Sequence, residues 1–277
     1  MELHGRRAVI TGAGSGIGAA LAAALHAAGM DLVLVDRDGP ALAAVAGPLG
    51  ARAAVLDVAD PAAMPGLAAG LQAEGLAVHL LVNNAGITVL GRFADHTPAD
   101  WERVVGVNLL GVVWGCRAFL PLLSAEGGRI VNISSLFGIV GVPGQSAYCA
   151  SKFAVRGFSE ALAEELRGGP VGLTLVHPGG VRTRIVADAR VAAAGAPAEE
   201  ARQSLARFFA SRARPPAAVA AEIVAAVRAD RERLLVCPET TALDWLRRLA
   251  PTTGNRWGVQ AMMRLMGVGD RLRDGRA

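Results

Sequence analysis

Among 277 residues the chain has one tyrosine, Tyr148, and among its 28 basic residues one lysine, Lys152. They lie four positions apart, so on a helix they share one face. A cation beside a phenol favours the phenolate, and the pairing predicts a Tyr148 pKa below its usual value of about 10. A phenol tuned in this way gives and takes protons near neutral pH. A second constellation lies upstream, in Thr11-Gly12-Ala13-Gly14-Ser15-Gly16-Ile17-Gly18. Glycines let a backbone turn sharply and approach an anion closely, and the N–H groups that open a helix then face a diphosphate. Alone, the cluster reads equally as a tight strand–helix turn. With an acid one β–α unit later it reads as a dinucleotide loop.

That acid is Asp36. A carboxylate at the end of the second strand holds adenosine ribose hydroxyls and repels a 2′-phosphate, so NAD is favoured. Arg37 beside it offers a partner for a 2′-phosphate or a platform for adenine, which leaves NADP possible.

The elements that must position these groups follow a steady rhythm. Short apolar runs at 7–10, 32–35, 51–56, 78–82, 129–133, 171–176 and 234–237 read as strands. The stretches 16–28 and 217–229 read as helices. Near-continuous apolar strands separated by helices indicate a doubly wound parallel sheet of about seven strands, Rossmann-like, with helices on both faces. Ligands bind beyond the carboxyl ends of such strands, so Gly12, Asp36, Asp57, Asn83, Ser135 and Pro178 are expected along one edge. Residues 1–240 read as a single nucleotide-binding and catalytic domain. Within it the rhythm breaks at 182–216, a candidate substrate lid. Residues 241–277 read as a helical extension that packs on the pocket or on a subunit interface.

Thr11 to Gly18, Asn83-Asn84-Ala85-Gly86, Ser135, Tyr148-x-x-x-Lys152 and Pro178-Gly179 together resemble the compact soluble branch of the short-chain dehydrogenase/reductase family. The resemblance spans about residues 5 to 185. It implies an NAD(P)-dependent oxidoreductase acting on a secondary alcohol or ketone, with Tyr148 as general acid/base. It implies that Lys152 holds the nicotinamide ribose, that Ser135 orients the substrate oxygen, and that Asn108 holds a water in a proton relay to Lys152. For the cofactor it implies contacts from Gly12, Ser15, Gly16, Ile17 and Gly18, from Asp36 and Arg37, and from Asp57 and Val58 at adenine. Asn84, Ala85 and Gly86 would border the adenosine ribose, and Pro178, Gly179, Val181 and Thr183 the carboxamide. A homotetramer or homodimer is implied by the resemblance alone.

Other classes fare less well. The glycine spacing and the chain length argue against an extended-family epimerase. Retention of both phenol and ammonium argues against a dinucleotide sensor without turnover. The formal charge of +4 is spread over scattered arginines, which gives no nucleic-acid footprint. No His/Asp/Glu cluster has zinc spacing. Cys116, Cys149 and Cys237 form no CxxC and read as buried reduced thiols. The start lacks a signal-peptide core and no fully apolar run of about 18 residues exists, so a cytoplasmic location is expected. The tail is amphipathic, basic and bears tryptophan, so a membrane-surface enzyme for a lipophilic alcohol is the alternative to packing. Phe137, Val142, the 182–216 segment and the tail are expected to roof the pocket. Phe208 and Phe209 suggest an apolar or aromatic guest, while Arg202, Arg207 and Arg212 suggest a carboxylate.

Overall fold

Among the described residues the apolar runs and two further short segments form nine strands: β1 (Arg7–Thr11), β2 (Asp31–Asp36), β3 (Arg52–Val55), β4 (Leu80–Asn83), β5 (Val89–Leu90), β6 (Gly128–Ile133), β7 (Val171–Pro178), β8 (Arg190–Val191) and β9 (Arg233–Val236). Ten α-helices among the described residues accompany them: α1 (Gly16–Ala27), α2 (Gly39–Ala46), α3 (Ala63–Ala73), α4 (Pro98–Val105), α5 (Gly111–Phe119), α6 (Ser146–Glu165), α7 (Ala196–Arg212), α8 (Pro216–Arg228), α9 (Pro238–Leu249) and α10 (Thr253–Leu265). This is a computed structural model. It describes residues 1–123, 127–192 and 196–265, apart from the side chains at 196–198, 201, 208–210, 212 and 265.

Seven strands form one parallel sheet in the order β3-β2-β1-β4-β6-β7-β9. The order reverses between β1 and β4, the place where a doubly wound sheet opens a crevice. Alternation along each strand supplies both faces with core. Ala8 and Ile10 join Leu34, Val131 and Ile133 in the layer under α1 and α8. Val9 joins Val33, Val35 and Ile130 in the layer under α3, α5 and α6. The expected strands all occur, within two residues at most ends.

Between α4 and α5 the helix widens into a π-turn at Gly106–Leu110. The composite run 98–122 is long and apolar enough to cross a membrane, but half of its apolar window is buried against the core. A two-stranded parallel sheet of β5 and β8 was not expected; it ties the 182–216 segment to the main body through Val89–Arg190 and Leu90–Val191 pairing. Beside it, Asp100 pairs with Arg190. The hydrogen-bonded guanidinium holds the Asp100 carboxyl well below the usual carboxylate range, against the effect of its burial. All three cysteines are buried free thiols.

Candidate active site

The carboxyl edge of the sheet opens into one cavity of about 1620 Å³. It runs from the glycine loop, past Asp36 and Asp57, to Ser135, Tyr148 and Lys152. Gly12 and Gly16 lie at φ +64° and +56°, a backbone region that favours glycine. A Cβ on Gly12 would sit 2.7 Å from the Ala85 Cα. Gly18 differs from its expected role, because it lies against the Gly12 carbonyl and Asn84 rather than lining the cavity. It closes the loop onto α1, which begins at Gly16 with Ser15 as its cap residue. The loop therefore places helical N–H groups and close backbone approach at the cavity wall, which fits a diphosphate.

Asp36 accepts hydrogen bonds from the Gly14 N–H at 2.9 Å and the Asp38 N–H at 3.0 Å. A fixed carboxylate thus stands where the loop meets β2, with exposed Arg37 next to it on the cavity wall. Asp57 accepts from Ala59 N–H at 3.0 Å and from the Arg103 guanidinium at 2.7 Å. Burial works against its charge, yet those partners hold its carboxyl below the usual range. Val58 lies beside it on the wall.

Asn83 corrects the expected edge. Its side chain turns away from the cavity into the α5 layer, where its amide donates to Asn132 at 2.9 Å and to the Cys116 sulfur at 3.4 Å. Its neighbour Asn84 takes the edge position and donates to the Thr11 and Gly12 carbonyls. Ala85 and Gly86 continue the wall. Across from them, Pro178, Gly179, Val181 and Thr183 line the same cavity, with the Thr183 methyl over Gly16.

Helix α6 carries Tyr148 and Lys152 on one face, as their spacing requires. Tyr148 and Ser135 line the same stretch of the cavity wall, and the Ser135 hydroxyl accepts from the Phe137 N–H at 3.1 Å. Phe137 meets the Tyr148 ring edge-on at 6.0 Å between centroids. The Lys152 Nζ lies 5.8 Å from that centroid and donates to the Ile133 carbonyl at 2.9 Å. Here the sign of the pKa expectation is overturned. Burial pushes Tyr148 up to about 12, and the nearby Ser135 side chain offsets only part of this. Burial likewise brings Lys152 down to about 8. Loss of solvation outweighs the attraction between the two groups in the protein's own environment.

Asn108, fully buried on the π-turn, does not line the cavity. Its amide accepts from Ile87 N–H at 2.8 Å and donates to the Ile87 carbonyl at 2.9 Å and the Ser151 hydroxyl at 3.0 Å. It thereby locks the segment carrying Gly86 to α6 one residue before Lys152. Ser134, the neighbour of Ser135, donates to the Lys152 carbonyl at 2.9 Å.

His177, near the end of β7, adds a contact that the sequence did not announce. Its Nδ1 lies 3.0 Å from the Ser135 carbonyl oxygen, so that nitrogen carries the proton. Burial pushes the imidazole down to about 4. No spacing rule links it to a serine 42 residues away.

The roof comes from three places. Phe137 and Val142 line it, as do Ile185, Val186 and Leu205 from the 182–216 segment, and Leu243, Leu246, Met262 and Met263 from α9 and α10. Arg202 reaches the cavity but pairs with Glu199, and Arg207 is exposed. The side chains of Phe208, Phe209 and Arg212 lie outside the described residues. Among the described residues no cluster of His, Cys, Asp and Glu is arranged for a metal ion.

Comparison with known proteins agrees with this geometry. A family model described as short chain dehydrogenase matches residues 6–193. The protein SadH of Mycobacterium tuberculosis, named as an oxidoreductase, is 44% identical over 265 residues, covering 92% of this chain and 94% of its own. A 3-alpha-(or 20-beta)-hydroxysteroid dehydrogenase of the same species is 38% identical over 186 residues, 66% of this chain and 71% of its own. A crystal structure of a short chain dehydrogenase/reductase from Burkholderia phymatum in complex with NAD superposes with a TM-score of 0.83 at 37% identity, covering 91% of this chain and 96% of that one. The chain belongs to the short chain dehydrogenase family.

Proposed function

We propose that this short chain dehydrogenase interconverts a secondary alcohol and its ketone, with Tyr148 as the proton-transferring group. The observation that carries the reading is that Ser135, Tyr148 and Lys152 meet on the wall of one cavity continuous with the glycine loop. A nicotinamide dinucleotide, when bound, supplies the hydride acceptor or donor. Gly12, Ser15, Gly16 and Ile17 would hold its diphosphate and Asp36 its adenosine ribose, which favours NAD. Asp57 and Val58 would lie at adenine. Lys152, whose Nζ is held by the Ile133 carbonyl, would hold the nicotinamide ribose. Pro178, Gly179, Val181 and Thr183 would meet the carboxamide.

In reduction, the Tyr148 hydroxyl gives its proton to the substrate oxygen, which Ser135 also bonds. In oxidation, the Tyr148 oxygen takes the alcohol proton as the carbinol hydrogen leaves as hydride. Tyr148 raised to about 12 carries the proton that reduction needs, and in either direction a cation close by must bring its acidity toward neutral pH. Asn108 and the Ile87 backbone form the support that a proton relay from Lys152 requires. The roof of Leu, Ile, Val and Met suits a medium-sized, largely apolar substrate. The hydroxysteroid dehydrogenase relative supports the same class. A homotetramer or homodimer and a cytoplasmic location complete the reading, with 182–216 acting as lid and the C-terminal helices as part of the roof.

The test is direct: mix the protein with NAD, then NADP, and a panel of apolar secondary alcohols, and follow reduced nicotinamide absorbance. Turnover with NAD supports the assignment. Binding of dinucleotide with no turnover across the panel, in either direction, identifies a sensor instead.

A further inference from the structure

The C-terminal helical hairpin has one face the cavity does not use. Helix α10 packs on α9 through Gly254 and Gly258, which sit against Leu246 and Leu243. Val259 and Met263 turn inward to the cluster around Leu136, Val140 and Cys149. On the outer side, Trp245 is 60% exposed, Leu249 79% and Trp257 61%. Among the described residues only six large apolar side chains are exposed, and these three fall within thirteen positions. Tryptophans at that exposure are poorly placed in bulk water.

Charge indicates what covers them. Residues 241–265 contain four arginines and one acid, Asp244. That acid is buried and paired with Arg233 and Arg248. Arg247 is used internally, over the Phe153 ring and bonded to Asn255. Arg248, Arg256 and Arg264 are exposed. The exposed acid of α9, Glu239, stands at its first turn on the cavity wall, where it accepts from the Gly180 N–H at 3.2 Å. Aromatic and leucine side chains among arginines, with no exposed acid from 241 to 265, match the boundary of an anionic bilayer, where indole sits at headgroup depth and guanidinium meets phosphate. The same hairpin lends Ala242 and Ala261 to the rim of the cavity and Met262 and Met263 to its roof.

We infer that α9 and α10 dock the protein on an anionic membrane surface through Trp245, Leu249 and Trp257, with the cavity rim turned to the lipid. Docking stands on this surface alone. That it delivers a lipophilic alcohol from the bilayer rests on the oxidoreductase reading above. The surface brings the substrate without spanning the membrane, and release requires only loss of the shallow contact.

Flotation of the full chain with vesicles of phosphatidylglycerol mixed into phosphatidylcholine, against phosphatidylcholine alone, tests it. The protein is expected to float with the anionic vesicles, with a blue shift of tryptophan emission, and to be released by high salt. The double variant Trp245→Ser, Trp257→Ser should lose at least tenfold in binding while keeping its thermal unfolding midpoint. Arg256→Gln with Arg264→Gln should lose several-fold and weaken the salt dependence. Wild-type protein that stays at the bottom of the gradient overturns the proposal. So does a double variant whose sedimentation coefficient falls because a second copy covered this face. Turnover of a detergent-dispersed alcohol, measured separately, keeps a failure of docking distinct from a failure of the oxidoreductase reading.

Discussion

Asp36→Asn isolates what one charge does for cofactor choice. The Asp36 carboxylate is held by the Gly14 and Asp38 N–H groups. Asparagine keeps an oxygen acceptor toward Gly14, so the glycine loop retains its form, but its NH2 cannot accept from the Asp38 N–H and that bond is lost. The 2′-phosphate of NADP carries a charge of about −1.5 to −2. Two like unit charges about 4 Å apart oppose each other by about 1 kcal/mol in bulk water and about 4 kcal/mol at an effective dielectric constant of about 20. Asp36 is half-buried, at the rim of an open cavity, so the answer lies between these limits. Removing the charge is expected to reduce the NAD-over-NADP preference by about 1–3 kcal/mol, or roughly 5- to 150-fold. The gain should come mainly from tighter NADP, since exposed Arg37 then meets the phosphate unopposed. Titration of both cofactors by quenching of protein fluorescence, at fixed ionic strength, reads the ratio. If Asp36→Asn leaves the ratio at its wild-type value, the assignment of this carboxylate to the ribose is refuted.

Lys152→Arg should lose most turnover although it keeps the charge, because the buried Nζ reaches Ile133 beside Gly86 in a space that a planar guanidinium does not fit. Wild-type kinetics in this variant would remove Lys152 from the mechanism. Ketone reduction should stay level up to about pH 7, because a phenol pushed up to about 12 remains protonated, and fall toward pH 9 as Lys152, brought down to about 8, loses its charge; a reduction rate that rises with pH contradicts this. Gly138→Ala should destabilise by about 1–3 kcal/mol, since the added methyl would lie 2.7 Å from the Lys152 carbonyl oxygen. An unchanged unfolding midpoint would show that the Ser135 turn is looser than described.

The sheet was legible because its strands are nearly pure apolar runs, such as Ala8 to Ile10 and Ile130 to Ile133, buried on both faces. The site was legible where spacing alone brings groups together: Tyr148 and Lys152 on one helical face, and the glycines before α1. Other features were not. Asn83 and Asn84 are both polar at a strand end, and pleat alternation sent the first into the α5 layer. The Tyr148 pKa expectation reversed because spacing reports the neighbouring cation but not the burial that both groups share. The Asp100–Arg190 pair and the β5–β8 sheet join segments 90 or more residues apart, which no local pattern announces. His177 belongs with these, since its contact with Ser135 exists only once β6 and β7 are paired.

The most direct measurement compares dinucleotide affinity and turnover in Tyr148→Phe. Loss of the hydroxyl should leave NAD binding within a few-fold of wild type and lower turnover by about 10²–10⁴ in both directions. Tyr148→Phe that turns over an alcohol at the wild-type rate would contradict proton transfer through this phenol, and with it the reading of the site.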